Sequence, residues 1–489
     1  MQQEIFQTYR ARIAEQGLVA IGRVKNLDDI ATERDGKLGI GMECLDRDLW
    51  EYEPVLPEIK KLGIHMARIQ SGWQKTETKE GIYDFEWLDR LVDDLLENGI
   101  QPLLCLCYGN KLYCDHPEEF PSIDRGGVGH FPIHTQRERT GWLNYVEQTV
   151  KHFKDRVRYF EIWNEPDVSA FLVTHDIWCD TYAEFVKMTA PVIRKNAPDG
   201  KILSCTAGLD NGEALLSRGV ADYVDIHSFH GYNAWPELCL GDQINTMTFL
   251  KQKYPPLSIW RGEAGFPSYN DPRSKGALSD RVVSENMQAK FILRHIVCDM
   301  SNNLLDKTFY FHAYDFEHFL KIVRYHYGVL RHEEPRRKPS YYALQMLAHL
   351  FRGKVTAKND SKIAVAKDYR PFPDDGMSDS EKVAMQFFTF QKGEETFFSY
   401  CSPVEIGDAA VVTKTVLSLP YAETMKDPVI LDPLTREIYP IANPRRFYAP
   451  VTDYPMFVVD AKAVSEWIEL SGETVKEATK EDLTQRYEE

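Results

Sequence analysis

Between Leu38 and Phe351 the chain repeats one local pattern eight times: a short apolar run of strand character, then a stretch with helical spacing of its apolar residues. The runs are Leu38–Cys44, His65–Ser71, Gln101–Cys107, Val157–Trp163, Lys201–Thr206, Tyr223–Phe229, Leu257–Gly262 and Thr308–Ala313. Helical patterns follow at Pro57–Leu62, at 84–98, and at Trp142–Phe153, Asp176–Asn196, Glu213–Arg218, Gln243–Lys253, Arg281–Met300 and Tyr341–Phe351. In the second of these, Asp84 is placed to cap, Phe85, Leu88, Leu91, Val92 and Leu95 share one face, and Gly99 stops the helix. Strands joined by helical crossovers are parallel. Eight of them, with polar residues gathered at their C-terminal ends, predict a (β/α)8 TIM barrel within an α/β chain. No glycine-rich phosphate loop follows the first strand, so the nucleotide-binding alternative is unsupported.

The pattern changes near Gly353. Lys362–Lys367, Val383–Phe390, Thr396–Tyr400, Thr413–Leu419, Val429–Leu431 and Met456–Val459 read as short strands between turn residues. That predicts a β-sandwich. The expected organisation is an N-terminal arm over 1–36, a catalytic barrel over 37–352, a sandwich over 353–465 and a charged tail over 466–489.

Composition narrows the partners. The 489 residues carry 58 basic and 74 acidic side chains, hence 58 − 74 = −16. Such a protein repels nucleic acid and anionic membrane, and neither is an expected partner. The polar start MQQEIFQTYRARIAEQ predicts no signal peptide, and no apolar run reaches membrane length. Nine scattered cysteines point to reduced thiols and a cytoplasmic setting, and the Cys105, Cys107, Cys114 spacing is not that of a zinc knuckle. Oligomeric state is left open.

The chemistry concentrates at the strand ends. The fourth strand runs through VRYFEIW into Asn164, Glu165 and Pro166, and Pro166 ends the ladder because it has no N–H to donate. The seventh, LSIWRGEAG, ends at Glu263 among small residues. Two strand-terminal glutamates suit glycosidic bond cleavage, in which one carboxyl protonates the leaving oxygen and the other attacks the anomeric carbon. Burial beside Trp163 would raise the pKa of Glu165, and a guanidinium such as Arg68 would keep Glu263 ionised. Tyr232 is placed to orient the nucleophile and Asn164 to bond a sugar 2-hydroxyl. Glu43, Asn110 and Tyr314 enter by position at strand ends. Trp73, Trp163 and Trp260 serve as sugar platforms or as packing. His230 is a site or core histidine, and His227 faces the other way.

With these motifs the sequence resembles a clan A glycoside hydrolase over roughly Leu38–Leu350. That clan's Asn-Glu-Pro implies Glu165 as acid/base. Its strand-seven Glu-x-Gly implies Glu263 as nucleophile. The strand-six Ser-x-His-x-Tyr matches Ser228, His230 and Tyr232, and the strand-two Arg matches Arg68. The segment GWQKTETKEGIYDFEWLDRLVDDLLENGIQPLL is similar to the second βα unit of families 39 and 42, and the added β-sandwich is most like family 39, the β-xylosidases and α-L-iduronidases. The resemblance implies a retaining glycosidase without cofactor or metal, exo-acting on β-xylosides or related small glycosides. The exo expectation rests on long loops after the third, fourth and seventh strands. A transglycosidase would use the same residues. A carbohydrate-binding pseudoenzyme and a barrel using Glu165, His230 and Glu263 as metal ligands are the readings from other classes. Two places depart from the clan: the eighth-strand run FYFHAYDF lacks its Trp, and the loop NKLYCDHPEEFPSIDRGG carries no assignable pattern.

Overall fold

The computed structural model describes residues 2–33, 35–116, 131–168, 178–268, 283–317, 324–332, 336–358, 363–365, 385–419 and 425–471. Eight parallel strands close a barrel: β1 Leu38–Gly41, β2 Met66–Gln70, β3 Gln101–Leu106, β4 Tyr159–Ile162, β5 Lys201–Thr206, β6 Ile226–His230, β7 Ser258–Ala264 and β8 Lys307–Tyr310. Leu38 pairs with Thr308 and Ile40 with Tyr310, which seals β1 to β8. Both faces of the strands are covered, the outer by helices and the inner by side chains from across the barrel.

The inner face follows the two-residue period of a strand. Met66, Leu103, Leu203, Ile226, Trp260 and Phe309 form an apolar floor, with Tyr159 packed against it. One step toward the C-terminal ends, the same face turns polar with Arg68, Cys105, Glu161, Cys205 and Ser228, all 0% exposed. Charges in that layer are tolerable only when paired.

The helices fall where the apolar spacing predicts, with shifted ends. Helix Glu86–Glu97 buries Leu88, Leu91, Val92 and Leu95, and the Asp84 side chain accepts the Glu86 N–H. Helix Gln136–Phe153 starts six residues before the expected Trp142, because Thr135 and Glu138 form a reciprocal capping box.

The second unit has an eight-stranded and a three-stranded antiparallel sheet. Its larger sheet takes in Gly22–Val24 from the N-terminal arm and Ile468–Leu470 from the expected tail, and these two segments pair with each other. Arm and tail therefore contribute strands to this sheet over those residues. Gln386–Lys392, Glu395–Cys401, Val412–Ser418, Pro428–Leu431 and Met456–Asp460 sit close to the expected strands. Glu437–Pro440 and Phe447–Thr452 were not expected. Of the expected Lys362–Lys367 strand, Ala364–Val365 is described, and residues 362, 366 and 367 lie outside the described residues.

Buried polar contacts join the two units. Lys290, on helix Glu285–Met300, donates to Gly407 O at 2.8 Å, Ala409 O at 2.9 Å and Asp453 Oδ2 at 2.8 Å. Tyr9, from helix Gln2–Glu15, donates to the other Asp453 oxygen at 2.7 Å. Arg294 bonds Val404 O at 2.6 Å and the Glu237 carboxylate.

Candidate active site

Arg68 is the hub of the polar layer. Its Nε donates to Glu161 Oε2 at 2.7 Å, and its Nη1 to Glu43 Oε1 at 2.9 Å and Glu263 Oε1 at 2.6 Å. Its Nη2 donates to Asn164 Oδ1 at 2.8 Å. One guanidinium thus ties together β1, β2, β4 and β7. Gly41 makes the β1 corner feasible, since a Cβ there would lie 2.4 Å from Glu43 Oε2.

Glu165 leaves β4 through a contorted turn. Trp163 N–H makes a last bond to Leu106 O, after which Trp163 and Glu165 adopt φ of 63° and 43°. Left-handed conformations at bulky residues cost roughly 1–3 kcal/mol each and persist only where packing over-determines them. Here Trp163 is wedged among Tyr108, Phe131, Trp142 and Phe185. A bulge between Phe229 and His230 sets His230 opposite Glu263 in the β6–β7 pairing. Gly262 leaves room for this, since a Cβ there would lie 2.4 Å from Ser228 Oγ and 3.1 Å from His230 Nε2.

The two glutamates meet across His230. Its Nδ1 lies 2.8 Å from Glu165 Oε1 and 3.4 Å from Glu263 Oε2. One carboxylate oxygen of each glutamate and a ring nitrogen of His230 all fall within 4.8 Å of one another. Tyr232 O–H donates to Glu263 Oε2 at 2.8 Å.

Their proton affinities diverge. Burial raises Glu165, and the Glu263 charge adds to this against the opposing pull of His230. Burial acts on Glu263 too, but His230, Arg68 and the Tyr232 hydrogen bond together hold it below the usual carboxylate value. Glu43 is pushed up to about 8 by burial and by Glu263, which outweigh Arg68. For His230, burial pulls down while Cys205, Glu263 and Glu165 more than reverse it. The Glu165–His230 hydrogen bond therefore carries a proton at neutral pH.

Arg68, Asn164, Glu165, His230, Tyr232, Glu263 and Glu43 are one connected group. Four other candidates stand apart from it. Trp73 is fully buried, stacked on Tyr113 and Tyr145 with its Nε1 on Glu77, and presents no face to a ligand. Trp163 is equally enclosed. Trp260 belongs to the apolar floor, because the inward register of β7 places it at the N-terminal end of the barrel. Asn110 caps a short 3₁₀ turn, accepting Leu112 N–H and donating to Glu77 O. Among the described residues all four serve as packing or capping residues. Tyr314 sits at the barrel mouth against Trp50 and His332. Trp50, from the loop after β1, lies beside His312 at the end of β8, where the expected Trp is lacking. His227 packs outside the barrel against Ser204 and Thr206.

Glu161 and Cys205 were not foreseen. Glu161 carried a signal: it is an acid inside an apolar run, two residues from Tyr159, and so on the inward face that Tyr159 shares with the floor. Among the described residues, two sets of donors are close enough to hold a metal: Glu165, His230 and Glu263, and Glu161, Cys205 and His230. In the first set, Arg68 and the Tyr232 hydroxyl already occupy Glu263, and a cation would have to share it with a guanidinium 2.6 Å away. Residues 117–130, 169–177 and 269–282, parts of the three long loops, lie outside the described residues. No described helix is long and apolar enough to cross a membrane.

The family model described as "Glycosyl hydrolases family 39" matches residues 56–371. Among solved structures, the chain is similar to a family 39 glycoside hydrolase from the gut symbiont Bacteroides cellulosilyticus WH2, with a TM-score of 0.63 at 19% identity over 87% of this chain and 81% of that one. It is also similar to a family 39 β-xylosidase from Caulobacter crescentus, with a TM-score of 0.56 at 16% identity over 90% and 97%. Those likenesses show the fold. A curated relative, β-galactosidase BgaB of Geobacillus sp. (strain Y412MC61), is 25% identical over 154 residues, 30% of this chain and 22% of the relative's length.

Proposed function

The chain belongs to glycosyl hydrolase family 39, and from that premise we propose that it is a retaining O-glycosidase acting through a covalent glycosyl-enzyme intermediate. One observation carries this reading: two strand-end glutamates face each other within 4.8 Å, one biased toward its proton and the other against it. A general acid needs the first bias and a nucleophile the second. Carboxylate oxygens this close support retention, which uses carboxyls about 5–5.5 Å apart, over inversion, which needs roughly 6.5–9.5 Å to admit water.

Glu263, oriented by Tyr232 and Arg68, attacks the anomeric carbon while Glu165 protonates the departing oxygen. Glu165 then draws a proton from the water that hydrolyses the intermediate. Asn164 receives Arg68 on Oδ1, which leaves its amide nitrogen to donate to a sugar 2-hydroxyl. The substrates are β-xylosides or related small glycosides, cleaved from one end. The named β-xylosidase and β-galactosidase relatives support testing xylosides and galactosides first. Nine free cysteines, eight of them buried, support a cytoplasmic setting.

The test is a panel of aryl xyloside, galactoside, glucoside, arabinofuranoside and uronides, with product configuration read by NMR. Turnover with retained configuration is expected. Turnover of none, or an inverted first product, overturns the proposal.

A further inference from the structure

Tyr232 reaches Glu263 from outside the strand ladder. It lies just beyond the end of β6 and is 36% exposed, yet its hydroxyl is held 2.8 Å from Glu263 Oε2. Among the described residues, two rings meet its ring edge-on: Phe311 at 6.2 Å and 74°, and Tyr327 at 5.9 Å and 86°. Phe311 and Tyr327 also pack on each other, at 5.5 Å. Tyr327 comes from the segment beyond β8 and fits against Gly265, where a Cβ would lie 2.9 Å from its Cδ1.

That segment is clamped by one buried amide. Gln288, on helix Glu285–Met300, is 0% exposed. Its Nε2 donates to Phe266 O at 2.9 Å, just past β7, and to His326 O and Tyr327 O at 3.2 Å each. Its Oε1 accepts the Ser340 hydroxyl at 2.8 Å, from helix Pro339–Leu350. Carbonyls can only accept, so the nitrogen side of the amide must face all three. One side chain thus ties the segments after β7 and β8 to the two helices behind them.

We propose that Gln288 is a positioning residue for the nucleophile: by clamping the Tyr327 backbone it wedges the Tyr327 ring against Tyr232, and so aims the Tyr232 hydroxyl at Glu263. The hydrogen bond from Tyr232 acts with His230 and Arg68 to hold Glu263 ionised. A swing of the Tyr232 ring by about 1 Å would take that bond out of range.

Other titratable groups surround both ends of this line. Glu43 from β1, Glu165 beyond β4 and His312 beyond β8 also feel Glu263. None of them bonds Gln288 among the described residues. Beside the clamp, Arg331 pairs with Glu285 and Lys338 with Asp315, and His326 Nδ1 lies 3.6 Å from Asp315 Oδ2. Burial pushes Asp315 up to about 6, inside the working range, so Asp315→Asn serves as the control for pH effects.

The inference rests on Glu263 being the nucleophile, and the first measurement needs no turnover. In 19F NMR of protein labelled with fluorotyrosine, the Tyr232 signal is identified by its loss in Tyr232→Phe. Gln288→Met should shift or broaden that signal. A Tyr232 signal unchanged in Gln288→Met overturns the proposal whatever the panel of glycosides gives.

The kinetic arm uses a dinitrophenyl glycoside, whose departure needs little acid and therefore reads the nucleophile. In Gln288→Met its kcat/KM should fall about tenfold, the scale of one hydrogen bond to a charged group. The acidic limb should rise by about half a pH unit, about threefold in proton affinity, and the rise should persist in Asp315→Asn. In a Tyr232→Phe background the same substitution should cost less than about twofold, because the bond it acts through is already gone. A full loss in both backgrounds, an unmoved limb, or a shift that vanishes with Asp315 would mean loop packing alone, and would overturn it. Should Gln288→Met fail to fold, Tyr327→Leu keeps the three carbonyl acceptors and removes only the ring. The same signal change, limb shift and lack of additivity are then expected, and their absence overturns the proposal equally.

Discussion

Arg68→Met would remove one charge from the middle of the site and leave its volume nearly filled. In the native protein Glu43, pushed up to about 8, keeps its proton at neutral pH, so the guanidinium chiefly serves Glu161 and Glu263. Removing one partner of a buried ion pair typically costs about 3–5 kcal/mol, because the other is left uncompensated. The variant can relieve part of that by protonating Glu263, whose folded pKa must then rise. The sign follows from linkage. In the native protein the lowered folded pKa of Glu263 contributes stability above the unfolded value of about 4.3, lost as pH falls through the lower folded pKa. In the variant the folded pKa lies above the unfolded one, so the contribution turns destabilising at neutral pH and fades as pH falls toward about 4.3. Urea denaturation at pH 5 to 8 should show the native-to-variant gap widening with pH. The acidic limb of kcat/KM should move upward, since a protonated nucleophile cannot attack. A gap that is constant with pH, or below about 1 kcal/mol, together with an unmoved acidic limb, would refute the hub role of Arg68.

The roles of the two glutamates separate by azide rescue. Glu165→Ala should slow mainly hydrolysis of the intermediate, by about 10²–10⁴-fold with an aryl substrate, and azide should restore turnover to a product of retained configuration. Glu263→Ala should be worse with every leaving group, and azide entering from the nucleophile's side should give the inverted product. The opposite pairing of configurations would reverse the assignment. At the contact between the two units, Lys290→Met would leave Asp453, which is 1% exposed, without its cation and with the Tyr9 hydroxyl still donating to it, and should lower stability by about 3 kcal/mol while leaving kcat/KM intact below the melting range. A melting curve indistinguishable from that of the native protein would show that Lys290 does not staple the two units.

The barrel was legible because its signal is periodic and local. A buried parallel strand must be apolar on both faces, a crossover helix must be amphipathic, and eight repetitions leave little else to build. The two glutamates were legible because a carboxyl at the end of an apolar run needs a use. What failed was depth along the strand. Trp260 and Glu263 are three residues apart on β7, yet one closes the floor and the other opens on the site. Sequence gives the alternation of faces but not the layer at which a side chain lies, because that depends on how neighbouring strands are staggered. The bulge at Phe229–His230 is a case in point: it brings His230 level with Glu263, and its one sequence mark is Gly262 inside the opposite strand. The N-terminal strand was hidden for a related reason. Gly22–Val24 has three residues and half-polar character, and it becomes a strand only because Glu437–Pro440 and Ile468–Leu470, more than four hundred residues away, offer it two edges. Cys205 lies at the same limit. A lone cysteine in a buried strand is ordinarily inert packing, and only the closure of the barrel, which sets β5 beside β6, brings its sulfur within 3.4 Å of His230, which touches both glutamates.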